Sequence, residues 1–154
     1  MPLAELLAPD RIVLLDECYR DTDAVLEAAA SLVARDTPLQ ARTIAASLRE
    51  REQLGSTGIG HGVAIPHGRS AAYDQPRAAF LRLARPVPFG ANDGQPVDLV
   101  FAIAEPEHFA QQHLHCLAEL AEQFGNHAFR SALRSAPDVN ALTRLMLDRS
   151  AAAA

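Results

Sequence analysis

The sequence predicts an α/β fold, a single-domain sandwich in which a mixed central sheet is flanked by helices. Three observations carry this. The chain has 154 residues, 49% of them apolar, enough for one sizeable core and too few for two full domains. Segments with helical apolar spacing and short apolar runs follow one another in mixed order, the pattern of helices laid on a small sheet. The run from Val97 to Ala104 is almost continuously apolar, as in a strand covered on both faces.

Taken in order, Arg11 to Leu15 reads as a short strand, and Thr22 or Asp23 caps a helix through Val25, Leu26, Ala29, Leu32 and Val33. Thr37-Pro38 supplies an N-cap and a proline at the first helical position, opening a second helix that Gly55 ends after Leu54. Val63 to Pro66, Ala78 to Ala84 and Val97 to Ala104 read as strands, the last two separated by a link rich in proline and glycine. A helix from about Phe109 to Phe124 is broken by Gly125-Asn126, and two shorter helices follow around Pro137-Asp138. With no internal repeat and no linker, residues 1–150 form one domain, and the alanines at 151–154 read as a disordered tail.

Composition narrows the function classes. A formal charge of −5 offers no general attraction to nucleic acid or to an anionic membrane. All fourteen basic residues are arginine, which removes lysine Schiff-base and P-loop chemistry and leaves bidentate phosphate binders. Cys18 and Cys116 stand alone without CxxC spacing, and no secretory signal precedes them, so a soluble, cytoplasmic protein without disulfides is expected. No apolar run reaches membrane-spanning length, so no membrane insertion is expected.

The most informative stretch runs from Gly55 to Gly68, where glycines and hydroxyl residues lead through a short apolar run to His67. Glycines let backbone N–H groups approach an anion, and an imidazole beside such a loop points to phosphate chemistry. Nucleotide motifs fail on spacing: Val63 stands where a third dinucleotide glycine is needed, and His61 where a Walker lysine belongs. A GxSxG nucleophile elbow is also absent. A lone histidine is most often a turn residue bonded to a nearby carbonyl. Here Pro66 holds the preceding chain extended and Gly68 leaves the far side open, which favours a presented imidazole.

On the second helix Ala41, Ile44, Ala45 and Leu48 form the apolar stripe, and Arg51 continues it toward the glycine loop, while Arg49 points to solvent. Arg51 is either a snorkelling or dipole-capping side chain or a phosphate ligand. His113 and His115 lie about 200° apart on a helix, by 100° per residue, so the pair cannot share one ion. His115 falls with Glu119 and Glu122, whereas His113 lies beside the apolar stripe and is the better site candidate. A zinc site would need His61 and His67 as further ligands and is the weaker reading; no metal or cofactor is expected.

These residues carry a resemblance. Arg51-Glu52, then Leu54-Gly55-Ser56-Thr57-Gly58-Ile59-Gly60, then Gly62-Val63-Ala64-Ile65-Pro66-His67-Gly68-Arg69 resemble enzyme IIA of the phosphotransferase system, in its mannitol/fructose/nitrogen-regulatory branch. Asp93-Gly94-Gln95-Pro96-Val97-Asp98-Leu99 and Gln112-His113-Leu114-His115 extend the likeness, which spans about residues 3 to 148. The resemblance implies a phosphotransferase whose His67 carries a phosphoryl group on Nε2, with His113 as the second active-site histidine and Arg51 as the active-site arginine. Backbone N–H groups at Ser56, Thr57 and Gly58 are expected to complete a phosphate cradle. His61 departs from the pattern, which usually has asparagine.

The implied donor is a histidine phosphocarrier protein. The unfused chain and the wording of its motifs favour the regulatory type, with a downstream target such as a sensor kinase or a potassium transport component. The alternatives are a sugar-transport IIA that passes phosphate to a IIB domain, and a binding module that is never phosphorylated.

Overall fold

The computed structural model describes residues 3–108 and 110–153, with side chains described for residues 5–108 and 115–148. The helices are α1 (Leu3–Leu6), α2 (Thr22–Val33), α3 (Ala41–Leu54), α4 (Ala110–Phe124), α5 (His127–Ser135) and α6 (Val139–Ala153). The strands are β1 (Ile12–Leu15), β2 (Gly58–Gly60), β3 (Val63–Ala64), β4 (His67–Arg69), β5 (Arg77–Val87) and β6 (Val97–Glu105). They make one six-stranded sheet in the order β1-β5-β6-β3-β2, with β4 beside β6 beyond the end of β3. The sheet is mixed: β5 and β6 are antiparallel, whereas β1 follows β5, and β3 and β4 follow β6, in parallel. The expected α/β sandwich is the fold found.

The reason β6 is apolar from Leu99 to Ala104 lies in its two covered faces. Leu99, Phe101 and Ile103 enter a core with Cys116, Leu120, Phe124, Phe129, Leu133, Leu142 and Met146 from α4, α5 and α6. Val100, Ala102 and Ala104 enter a second core with Val25, Leu26, Ala29, Ile44 and Leu48 from α2 and α3. The period of two along a strand sends successive side chains to these opposite layers. In the first core Phe80, Phe101, Phe124 and Phe129 pack at centroid separations of 5.6 to 6.5 Å, the range of favourable aromatic contact.

Several boundaries differ from the sequence reading for local reasons. Asp21, one residue before the expected caps, accepts the Ala24 N–H at 2.9 Å and starts α2. Thr37 caps nothing: its hydroxyl bonds Tyr73 Oη at 2.7 Å, and Pro38–Gln40 forms a 3₁₀ turn before α3 begins at Ala41. β5 runs past Ala84 to Val87, tolerating Pro86 because its register with β6 shifts between Arg82 and Val87. Asn126 accepts the Phe129 N–H at 2.9 Å and Asp138 the Ala141 N–H at 2.8 Å, so the expected breaks each cap the helix that follows. α6 runs Val139–Ala153, and its last residues are alanine, which has the highest helix propensity.

The largest departure concerns the glycine stretch. Gly58–Gly60 is strand β2, antiparallel to β3, and Gly60, His61 and Gly62 turn between them with φ of 95°, 57° and 77°. His61 therefore stands in the left-handed region, where asparagine and histidine are among the few side chains tolerated. The His61 N–H donates to Asp93 Oδ2 at 2.8 Å, and its carbonyl accepts from Arg134 Nη2 at 2.6 Å. Arg134 also grips Asp98 through Nε and Nη2, pinning the turn to β6. N–H bonds from His61 and then Gln95 hold the Asp93 carboxyl below its ordinary pKa. That contribution to stability is present above the ordinary value of about 3.9 and is lost as pH falls through the lowered one.

Candidate functional site

Pro66 has no N–H and interrupts the run between β3 and β4, so the strand expected to end at Pro66 resumes at His67. His67 lies opposite Ile103, and Gly68 opposite Ala104, in the parallel pairing with β6. Because Ile103 belongs to the core under α4 and Ala104 to the core under α3, His67 faces the α4 layer and Gly68 the α3 layer. The imidazole turns back on its own chain, with Nδ1 2.9 Å from the Ile65 carbonyl oxygen. A carbonyl oxygen only accepts, so Nδ1 carries the proton and Nε2 presents its lone pair.

Arg51 meets that lone pair. Its Nε donates to His67 Nε2 at 3.1 Å, and its Nη1 donates to the Gly55 carbonyl at 2.8 Å. Arg51 therefore caps the C-terminus of α3 and also reaches the histidine at the edge of β4. Arg49 turns away toward Glu27, at 3.8 Å, as the helical geometry predicts.

Gly68 is what lets helix and strand come this close. A Cβ at that position would stand 2.5 Å from Ser47 Oγ and 3.1 Å from the Leu48 backbone nitrogen. Ser47, one turn before Arg51, accepts the Arg69 N–H at 2.8 Å and ties α3 to β4. Gly68→Ala is expected to push α3 outward and cost about 1–3 kcal/mol of stability by overpacking. Urea denaturation checks the stability.

The expected backbone cradle is not formed. The Thr57 N–H donates to Glu52 Oε2 at 2.7 Å, and its hydroxyl to Glu52 Oε1 at 2.6 Å. Ser56 Oγ donates to the Phe89 carbonyl at 2.5 Å, and the Gly58 N–H donates to Ser56 Oγ at 3.0 Å. These bonds brace the loop after α3 and engage the backbone N–H groups of Thr57 and Gly58 within the protein.

His113 lies in α4 one turn before the buried Cys116, on the helix that covers the His67 face, but its side chain lies outside the described residues. His115 pairs with Glu119 at 2.9 Å on the exposed side, matching its predicted facing. Burial, and secondarily the nearby Glu105 charge, pushes the Cys116 thiol up to about 11, which leaves it without thiolate character at neutral pH. Among the described residues no three histidine, cysteine or acidic side chains converge to hold a metal. Nor is any helix among them long and apolar enough to cross a membrane.

His67, Arg51, Ser47, Leu54 and Arg69 line one open cavity of about 360 Å³, with Glu50 at its rim. A larger cavity of about 550 Å³ lies between α5 and α6, walled mainly by Ala132, Ala136, Ala141 and Leu145, and holds no histidine. Chemistry, and not size, selects the smaller one. Ser47 and Arg69 were missed by sequence reasoning, although spacing could have found both: Ser47 precedes Arg51 by one helical turn, and Arg69 shares a strand face with His67.

Residues 5–148 match the family model described as phosphoenolpyruvate-dependent sugar phosphotransferase system, EIIA 2. The chain belongs to this EIIA 2 family. A nitrogen regulatory protein of Pseudomonas aeruginosa is 42% identical over 147 residues, covering 95% of each chain. The crystal structure of nitrogen regulatory protein IIA-Ntr from Neisseria meningitidis superposes with a TM-score of 0.84 at 36% identity, over 94% of this chain and 98% of that one. The mannitol IIA of Escherichia coli, solved in complex with phosphorylated IIB, shares the fold with a TM-score of 0.72 at 19% identity, over 93% and 98% of the two chains. Membership of the EIIA 2 family supports a phosphocarrier role.

Proposed function

We propose that this chain is a cytoplasmic phosphohistidine carrier with a regulatory output, and that His67 Nε2 accepts a phosphoryl group from a histidine phosphocarrier protein. One observation carries the reading: the Ile65 carbonyl fixes the Nδ1 proton while Nε2 faces the Arg51 guanidinium. In the transfer Arg51 Nε releases the lone pair of His67 Nε2, which forms a P–N bond as the P–N bond to the carrier's imidazole breaks. The departing electron pair returns to the carrier's ring nitrogen, and the Nδ1 proton stays where the carbonyl holds it.

Such a transfer runs through a loose, metaphosphate-like transition state, so the protein's task is to position and to neutralise. Arg51 Nη2 has no protein partner among the described residues and is available to an equatorial oxygen once the phosphoryl group occupies the cavity. Each such charge-assisted contact is worth about 1.5–3 kcal/mol. His113 is the proposed second donor, from α4. Incubation with enzyme I, the carrier and labelled phosphoenolpyruvate tests the proposal; a wild-type protein that takes up no label is the non-phosphorylated binding module instead.

The regulatory branch is supported by long, near-complete likeness to proteins named nitrogen regulatory. Its output would be a target such as a sensor kinase or potassium transport component that distinguishes the neutral ring from the anionic one. The second reading, donation to a IIB domain, draws on the fold shared with the mannitol IIA solved beside phosphorylated IIB. Rapid chase of label from the chain onto an added IIB domain would favour it.

Leu54 supplies a docking prediction. It ends α3 at the cavity rim with 86% of its surface exposed and takes no part in either core. Leu54→Ser should leave stability within about 0.5 kcal/mol, as for surface positions generally. It should lower kcat/KM for the carrier about fivefold, the equivalent of roughly 1 kcal/mol of lost apolar contact. Steady-state transfer kinetics measure the second effect and thermal denaturation the first.

A further inference from the structure

We propose that Arg69 is a second arginine in direct contact with the phosphoryl group during transfer, a role that rests on phosphorylation of His67. Residues 67 and 69 occupy alternate positions on β4, so both side chains leave the same face of the sheet, about 6–7 Å apart at the backbone. Both line the cavity that also receives Arg51. Arg51 approaches from the end of α3, and Arg69 rises from the strand itself, so the two arginines border the cavity from different elements.

The second cation is held at both ends. Its backbone N–H is fixed by Ser47 Oγ at 2.8 Å, and its Nη1 donates to the Glu107 carbonyl at 2.7 Å. One donor of five is thereby engaged at the tip, and the guanidinium makes no ion pair with a carboxylate among the described residues. Arg69 is exposed, and Arg82 shows the contrast: its Nη1 is spent on the carbonyls of Leu133, Arg134 and Ala136 in a purely structural clasp.

Two carboxylates lie near. Glu50 shares the cavity rim, and the buried Glu105 sits opposite Arg69 in the β4–β6 register. Arg69 offsets the second of these acids before the phosphoryl group arrives, and it would supply equatorial donors from β4 while Arg51 supplies them from α3.

Single-turnover transfer from phosphorylated carrier, followed over a range of carrier concentrations, tests this with Arg69→Ala and Arg69→Lys. The expected result is a saturating rate for Arg69→Ala that falls about tenfold or more, the rate equivalent of one lost charge-assisted hydrogen bond, with KM little changed. Arg69→Lys should recover part of that rate, because it restores charge without the planar fork. Unchanged saturating rates, a rise in KM alone, or equal losses in both variants would overturn the proposal. Thermal denaturation of both variants separates a folding defect, since a loss confined to Arg69→Ala that tracks a lowered Tm also counts against it. Failure of the wild type to take up label would instead remove the phosphocarrier reading itself, so the two failures are distinct.

Discussion

His67→Ala is expected to leave a folded protein that takes up no phosphoryl group. The substitution removes the proposed nucleophile outright, and the measured loss should reach the detection limit of a labelling assay. Its structural cost is small by comparison. The ring is half-buried and makes bonds to the Ile65 carbonyl and to Arg51. Losing a net hydrogen bond of this kind costs about 1 kcal/mol, well inside the reserve of an ordinary domain. Circular dichroism and thermal denatuation should therefore report a native fold while transfer is absent.

Arg51→Ala should rank second, with transfer slowed by about 10²-fold, the scale of removing one preorganised donor from a developing anionic centre. Two physical losses combine. The guanidinium proposed to neutralise the phosphoryl oxygens is gone, and the imidazole loses the donor that orients it at 3.1 Å. Arg51 also caps the Gly55 carbonyl, so a modest loss of stability accompanies the kinetic one. Arg51→Lys separates the effects: it keeps a charge near the phosphoryl group while losing the fork that spans Gly55 and His67. Transfer by Arg51→Lys should fall between that of wild type and that of Arg51→Ala in a rapid-quench experiment.

The sequence made the fold legible wherever periodicity was strong. The uninterrupted apolar run of β6 and the stripe of Ile44, Ala45 and Leu48 both reported burial directly, and both lie in the cores where that pattern placed them. Arg51 was legible because a helix converts residue number into angle. The glycine stretch misled for a reason that sequence cannot encode, since a glycine that frees a turn and a glycine that admits an anion look alike. Gly60 and Gly62 serve the β2–β3 turn, Gly68 admits α3, and the donors at Thr57 and Gly58 are taken by Glu52 and Ser56. The partner of Nδ1 was equally hidden, because a backbone carbonyl two residues back leaves no trace in residue type.

The most direct test of the account is the position of the phosphate. Protein labelled with ¹⁵N in its histidines, phosphorylated through enzyme I and the carrier, can be read by long-range ¹⁵N–¹H correlation and ³¹P spectroscopy. A single phosphoryl group on Nε2 of His67, with the Nδ1 proton retained, is the predicted result. Phosphate on Nδ1 of His67, or on any other histidine, would contradict it.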